Sequence, residues 1–207
     1  MEAVSLFNKL FTVEEYIKFD EENDVRHEFH FGKLYPISGT SAVHNEVIQN
    51  IVGLLRQEFK KKDCKIFHEN VKLELLENGK YNYPGIMLTC DEIDKHAVFI
   101  MRHPSLIVEV LSKSTASHDR ITKFEDYQGV SSIQYYLLVE SRWQYVELFS
   151  RTEDPDVWHF QKFSATTDVI KFPKLNFQMS ITEIYEDLNL PKKLVNISLQ
   201  IENEDDV

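Results

Sequence analysis

The run Pro104–Ser112, "PSLIVEVLS", sets a glutamate inside the most apolar segment of the chain. Its β-branched residues predict a buried strand rather than a helix. On a strand, Leu106, Val108 and Val110 face one way, and Ile107, Glu109 and Leu111 face the other. A carboxylate buried without a partner is costly, so Glu109 must be ion-paired, protonated or bound to a cation. The strand alone leaves all three open.

The segments around this strand alternate between helical and extended patterns. Upstream, "FTVEEYIKFD" has Thr12 as N-cap and Glu15 three residues on, a capping box for a short helix. "VRHEFHFGKLYPISG" places Gly32 and Lys33 between two extended runs and predicts a hairpin. In "SAVHNEVIQNIVGLLRQEFKKK", Val47, Ile48, Ile51, Val52, Leu55 and Phe59 recur at helical spacing behind a Ser41 cap. "CKIFHENVKLELLENGKYNYPGIMLTC" reads as two or three strands with a turn at Asn78–Gly79. Downstream, "TASHDRITKFEDYQGV" reads as a helix with Ile121, Phe124 and Gln128 along one line. Three short strands follow, "IQYYLLVES", "QYVELFSR" and "VWHFQKF", and then a helix capped by Ser180. This order predicts an α/β (α+β) sandwich, with a mixed sheet flanked by helices. We expect one domain over residues 1–190 and an acidic C-terminal tail over 191–207.

Composition narrows the function classes. Hydrophobic residues at 43% place the chain among packed globular proteins. The net charge of −11 supplies no general surplus of cations for phosphate neutralisation. Lys60, Lys61 and Lys62 form the one dense basic run, and it reads as a solvated helix end. Cys64 and Cys90 form no CxxC pair, so neither a thiolate zinc site nor a disulfide scaffold is expected, and a reducing cytoplasm fits. The start "MEAVSLFNKL" has no signal-peptide pattern, and no apolar run is long enough for a membrane span.

The series "TVEEYIKF", "RHEFHFGKLYPISG", "HNEVIQNI", "YPGIMLTCDE", "PSLIVEVLSKST" and "KFEDYQGVSSIQYYLLV" resembles the Uma-type family of putative restriction endonucleases, a branch of the PD-(D/E)XK nucleases. The likeness runs in order from Thr12 to about Tyr185, most of the chain. It implies a restriction-endonuclease-like central mixed sheet, phosphodiester hydrolysis, a Mg²⁺ or Mn²⁺ site, DNA as partner and a homodimer. Carried over by position, the family's early acid falls on Glu28 and its strand glutamate on Glu109, both toward the metal. Its lysine falls on Lys123, one helix downstream, where the strict superfamily spacing would use position 111, here Leu111. His44 matches a histidine at the start of the first long helix.

One position departs from the pattern. The metal-binding aspartate expected after the strand proline falls on Gly85. Asp91 cannot substitute, because six residues of extended chain span about 20 Å. The resemblance thus implies a nuclease with a weakened cation site and impaired cleavage, or alternatively a catalytically silent homodimer that binds DNA or protein. Structural readings stand beside each assignment. Lys123 can pair with Asp119 at i−4, Glu28 with Arg26 or Lys33, and His44 can simply pack. Gly85 can be a backbone solution after Pro84, and His118 and Asp119 read as first-turn helix residues.

Overall fold

The computed structural model describes residues 9–37, 39–77 and 79–192. Asn78 of the expected turn, and residues 193–207 of the expected tail, lie outside the described residues. Helix α1 (Val13–Glu22) begins with the reciprocal Thr12–Glu15 capping box. Strands β1 (His27–His30) and β2 (Lys33–Pro36) form the expected antiparallel hairpin. Phe31 (φ 49°) and Gly32 (φ 87°) both lie in the left-handed region, the signature of a two-residue type I′ turn. Helix α2 (Ala42–Phe59) carries the Ser41 cap and buries all six apolar positions of its predicted line.

The segment expected to give two or three strands gives four: β3 (Lys65–His68), β4 (Lys72–Leu76), β5 (Lys80–Asn82) and β6 (Ile86–Thr89). Short α3 (Glu92–His96) and β7 (Ile100–Met101) lead into β8 (Leu106–Leu111), the strand of the glutamate. After α4 (Ala116–His118), a π-helical turn (Asp119–Lys123) and α5 (Phe124–Gln128) come β9 (Tyr135–Glu140), β10 (Val146–Arg151) and β11 (Trp158–Phe163). A further hairpin, β12 (Val169–Phe172) and β13 (Phe177–Ser180), precedes α6 (Ile181–Ile184).

The fold class is the expected mixture of sheets and flanking helices, with the main β-structure divided between two mixed sheets. One runs β11-β10-β9-β8-β6-β3 and the other β2-β1-β5-β4-β7. Within the first, β8 pairs β9 in parallel and β6 antiparallel, with Ile86 opposite Val108. This central position buries both faces of β8. Leu106, Val108 and Val110 join α2, the β12–β13 hairpin and α6 in one core. Ile107 and Leu111 join Tyr127, Ile133 and Tyr136 in a second. A third core packs α1 through Tyr16 against Phe29, Leu34 and Tyr81. Each fully buried side chain of this size contributes roughly 1.5–3 kcal/mol.

One expectation is corrected. Cys64 and Cys90 are joined by a disulfide, with an S–S distance of 2.02 Å. The 26-residue separation conceals that β3 and β6 are antiparallel neighbours with Lys65 opposite Thr89, which sets the two cysteines side by side just beyond the strand ends. Ile121, on the helix line of Phe124 and Gln128, is 58% exposed. The buried side of this helical segment carries Asp119, Lys123 and Tyr127, with the π turn spanning Asp119–Lys123. Among the described residues no helix is long and apolar enough to cross a membrane.

Candidate functional site

Three elements converge on the strand glutamate. Glu109 points from β8 toward the second core, Glu28 comes from the β1–β2 hairpin, and Lys123 comes from the π turn. The Lys123 ammonium lies 3.0 Å from Glu109 Oε1, 3.2 Å from Glu28 Oε1 and 3.5 Å from Asp119 Oδ1. Glu28 (8% exposed), Glu109 (6%), Lys123 (7%) and Asp119 (3%) are all buried, so little water screens them. Tyr127 donates its hydroxyl to Glu109 Oε1 at 2.9 Å, and the Gly85 backbone N–H donates to Glu109 Oε2 at 3.2 Å. The Tyr83 N–H approaches Glu28 Oε1 at 3.4 Å.

With its acids ionised, this group carries three negative charges against one positive. Burial pushes the Glu109 carboxyl up to about 7, against the pull of Lys123, and the neighbouring charges of Asp119 and Glu28 add to the rise. Burial also acts to raise Glu28, but Lys123 and then His30 outweigh it and hold that carboxyl below its ordinary value. Burial favours the neutral form of Lys123, yet Glu109, Glu28 and Asp119 together hold its pKa well above the usual value. The two glutamates therefore titrate apart although both contact one ammonium.

His44 stands at the start of α2, half-buried, with Nε2 2.8 Å from the Val110 carbonyl oxygen. Burial lowers its pKa, and the Val110 contact opposes that. It thus braces the end of β8 beside the acid–lysine group. Gly85 lies at the head of β6, across from the glutamate. A Cβ built there would sit 3.6 Å from Glu109 Oε2 and 3.0 Å from the Val108 carbonyl oxygen.

The i−4 pairing of Lys123 with Asp119 is present and buried, and Tyr127 is a partner of Glu109 that the sequence reading did not single out. The available signal was their spacing: Asp119, Lys123 and Tyr127 recur every four residues and form one line.

Among the described residues, one trio has donor atoms all within 4.8 Å of each other: Asp91, Asp94 and His103. Its carboxylates already serve the backbone. Asp91 caps α3 through the Ile93 N–H at 2.9 Å, and Asp94 accepts the Arg102 and His103 N–H groups, each at 2.8 Å. Glu28, Glu109 and Asp119 stand wider, arranged around Lys123. Their donor set is all oxygen, and its surplus of negative charge suits a hard divalent cation. Gly85 contributes a backbone N–H, and no acid, to this group.

Two mixed sheets with flanking helices give the chain an α+β fold of the nuclease-like class. A crystal structure described as a putative nuclease belonging to DUF820, from Anabaena variabilis, shares this fold with a TM-score of 0.69 at 16% identity, over 84% of this chain and 97% of that one. The sequence model of the Uma2 family, described as putative restriction endonuclease, matches residues 13–182. The chain belongs to this family. Similar relatives include two uncharacterized Synechocystis proteins. One, slr1290, is 29% identical over 84% of this chain and 91% of its own length. The other, sll1609, is 33% identical over 70% of this chain and 84% of its own length.

Proposed function

We propose that this chain is an endonuclease-type phosphodiester hydrolase whose cation site is weakened at Gly85, so that cleavage is impaired. One observation supports the reading most. The Gly85 N–H contacts Glu109 Oε2, and a side chain at 85 would lie directly beside that oxygen. An acid absent from position 85 is therefore absent from the cluster itself.

Glu109 and Glu28 would hold a Mg²⁺ or Mn²⁺ ion. Such an ion, when bound, neutralises phosphate charge and acidifies water. The chain's own groups have separate tasks. Lys123 offers a fixed positive charge to the oxygens that become more negative as phosphorus is attacked. Tyr127 and the Gly85 amide hold the Glu109 carboxylate in one orientation. His44 keeps the end of β8 in place. DNA is the substrate class that the family description suggests, although the net charge of −11 limits broad contact with a phosphate backbone.

The second reading is a silent scaffold that binds DNA, a protein or its own copy as a homodimer. It draws support from Lys123, whose ammonium is already shared among three carboxylates. A supercoiled-plasmid assay with Mg²⁺ and Mn²⁺ separates the two readings. The hydrolase reading expects slow nicking that Glu109→Ala abolishes, and faster nicking, by about tenfold or more, in Gly85→Asp. No nicking by either the native protein or Gly85→Asp contradicts it and leaves the scaffold.

A further inference from the structure

We propose that the Cys64–Cys90 disulfide is a reversible thiol–disulfide exchange site, at which a dithiol reductant loosens strand β3 and its hold on Gly85. The inference stands apart from the hydrolase reading, because it needs neither a cation nor cleavage.

Position carries the inference. β3 is the edge strand of its sheet, four residues long, with β6 as its neighbour. Lys65 and His68 are exposed, and Ile66 and Phe67 are half-buried against the first and second cores. So short an edge strand gains little from its own ladder and packing. It is instead pinned at both ends. At one end Cys64 is bonded to Cys90. At the other, the Glu69 N–H donates to the Gly85 carbonyl oxygen at 3.0 Å, while the Gly85 N–H donates to Glu109 Oε2 at 3.2 Å. Glu69 (φ 44°) and Asn70 (φ 53°) both lie in the left-handed region, which a glutamate holds only where its surroundings fix it. The strand thus connects the disulfide to the amide beside the glutamate.

Access sets the chemistry. Cys90 is exposed and Cys64 half-buried, so an incoming thiolate reaches the Cys90 sulfur. Its attack breaks the S–S bond, forms a mixed disulfide with Cys90 and releases Cys64 as a thiolate, which takes up a proton. The reductant's second thiolate then attacks its own sulfur in the mixed disulfide and frees Cys90, which is protonated in turn. The reductant leaves as its own disulfide, and two electrons and two protons have passed to the protein. Closure runs by the reverse exchange with a disulfide oxidant. The register that sets Lys65 opposite Thr89 keeps the two thiols near each other. Lys95 Nζ, 2.7 Å from Asp63 Oδ2, also ties α3 to the residue before Cys64. The reduced pair is therefore placed to close again.

The test is reduction of the full chain in native buffer, without denaturant. Dithiothreitol is expected to yield two alkylatable thiols by mass spectrometry, and glutathione disulfide to restore the Cys64–Cys90 link. Reduction is expected to speed amide hydrogen exchange at residues 65–69 and at Gly85 by at least about tenfold, with the β8 and β9 amides unchanged. The melting temperature is expected to fall by about 5–10 °C. Cys90→Ser is expected to show the faster exchange without reductant and no further change with it. A link that resists dithiothreitol until urea is added overturns the proposal and makes the bond a permanent staple. So does reduction that leaves exchange at residues 65–69 and Gly85 unchanged, or a reduced pair that glutathione disulfide does not reconnect. These readouts use the native protein, so they decide the matter even if Cys90→Ser fails to fold.

Discussion

Two buried acid clusters in this fold are built from the same residue types with opposite balances. Around Asp20, on α1, one carboxylate receives many donors. Lys72 Nζ lies 2.7 Å away, the His27 N–H donates at 2.9 Å, Arg26 stands at 3.8 Å, and the Tyr83 hydroxyl also donates to it. Around Lys123, one ammonium serves three carboxylates. The first cluster is saturated and ties α1 to β1 and β4. The second is short of positive charge in a region where water cannot supply it. Buried charge by itself does not mark a site, and the two clusters differ in the sign of their imbalance.

The sharpest way to break this contrast is to neutralise the clamp. Asp20→Asn strands the Lys72 ammonium and should cost about 3–5 kcal/mol in urea unfolding. A loss below about 1 kcal/mol would mean that the two clusters are not different in kind.

The pH dependence of stability comes next in size. Glu109 titrates near 4.5 when unfolded and at about 7 in the fold. A raised carboxyl pKa means that the fold favours the protonated form. The penalty is therefore absent below about 4.5, grows as pH rises toward 7, and is fully present above it. Melting in EDTA should show stability falling between pH 5 and 8, by on the order of 3 kcal/mol at most. Because the lowered pKa of Glu28 places its own loss of stability at the acid end, a flat profile across this window would remove the surplus charge from the account.

Tyr127→Phe removes one of the donors that hold Glu109 and should cost about 1–2 kcal/mol, with the pH profile moving further upward. The smallest effect has the most telling sign. Asp119→Asn should leave stability at pH 8 unchanged or raise it by about 1 kcal/mol, because it removes a surplus charge rather than a needed one. Read beside Asp20→Asn, the pair applies the same Asp→Asn change to two buried acids with opposite expected outcomes.

Much of the fold was legible because its signals are local. The Thr12–Glu15 box, the Gly32 turn and the six-residue apolar line of α2 each follow from a few neighbouring residues. Glu109 was legible as an exception, a charge set in an apolar strand. What escaped depends on tertiary arrangement or on a buried helix face made of polar residues. The disulfide needs the β3–β6 pairing, which no spacing between Cys64 and Cys90 reveals. Asp119, Lys123 and Tyr127 share one helical line, but their polar and charged character does not announce a buried face. Four-residue β12 and β13 and two-residue β7 are too short for alternation to stand out. Asp94 and His103 are drawn together by a loop clamp in which the acids satisfy backbone N–H groups, a purpose that residue type does not announce.

The central claim is that the acids around Lys123 hold a surplus of negative charge that a divalent ion can neutralise. Calorimetric titration of Mn²⁺ into the native protein and into Glu109→Ala at pH 7.5 tests it most directly. The account predicts saturable binding to the native protein and its loss in Glu109→Ala, with Lys123→Met binding more tightly because a competing cation is gone. Equal Mn²⁺ binding by the native protein and Glu109→Ala, or none by the native protein and Lys123→Met alike, would contradict it.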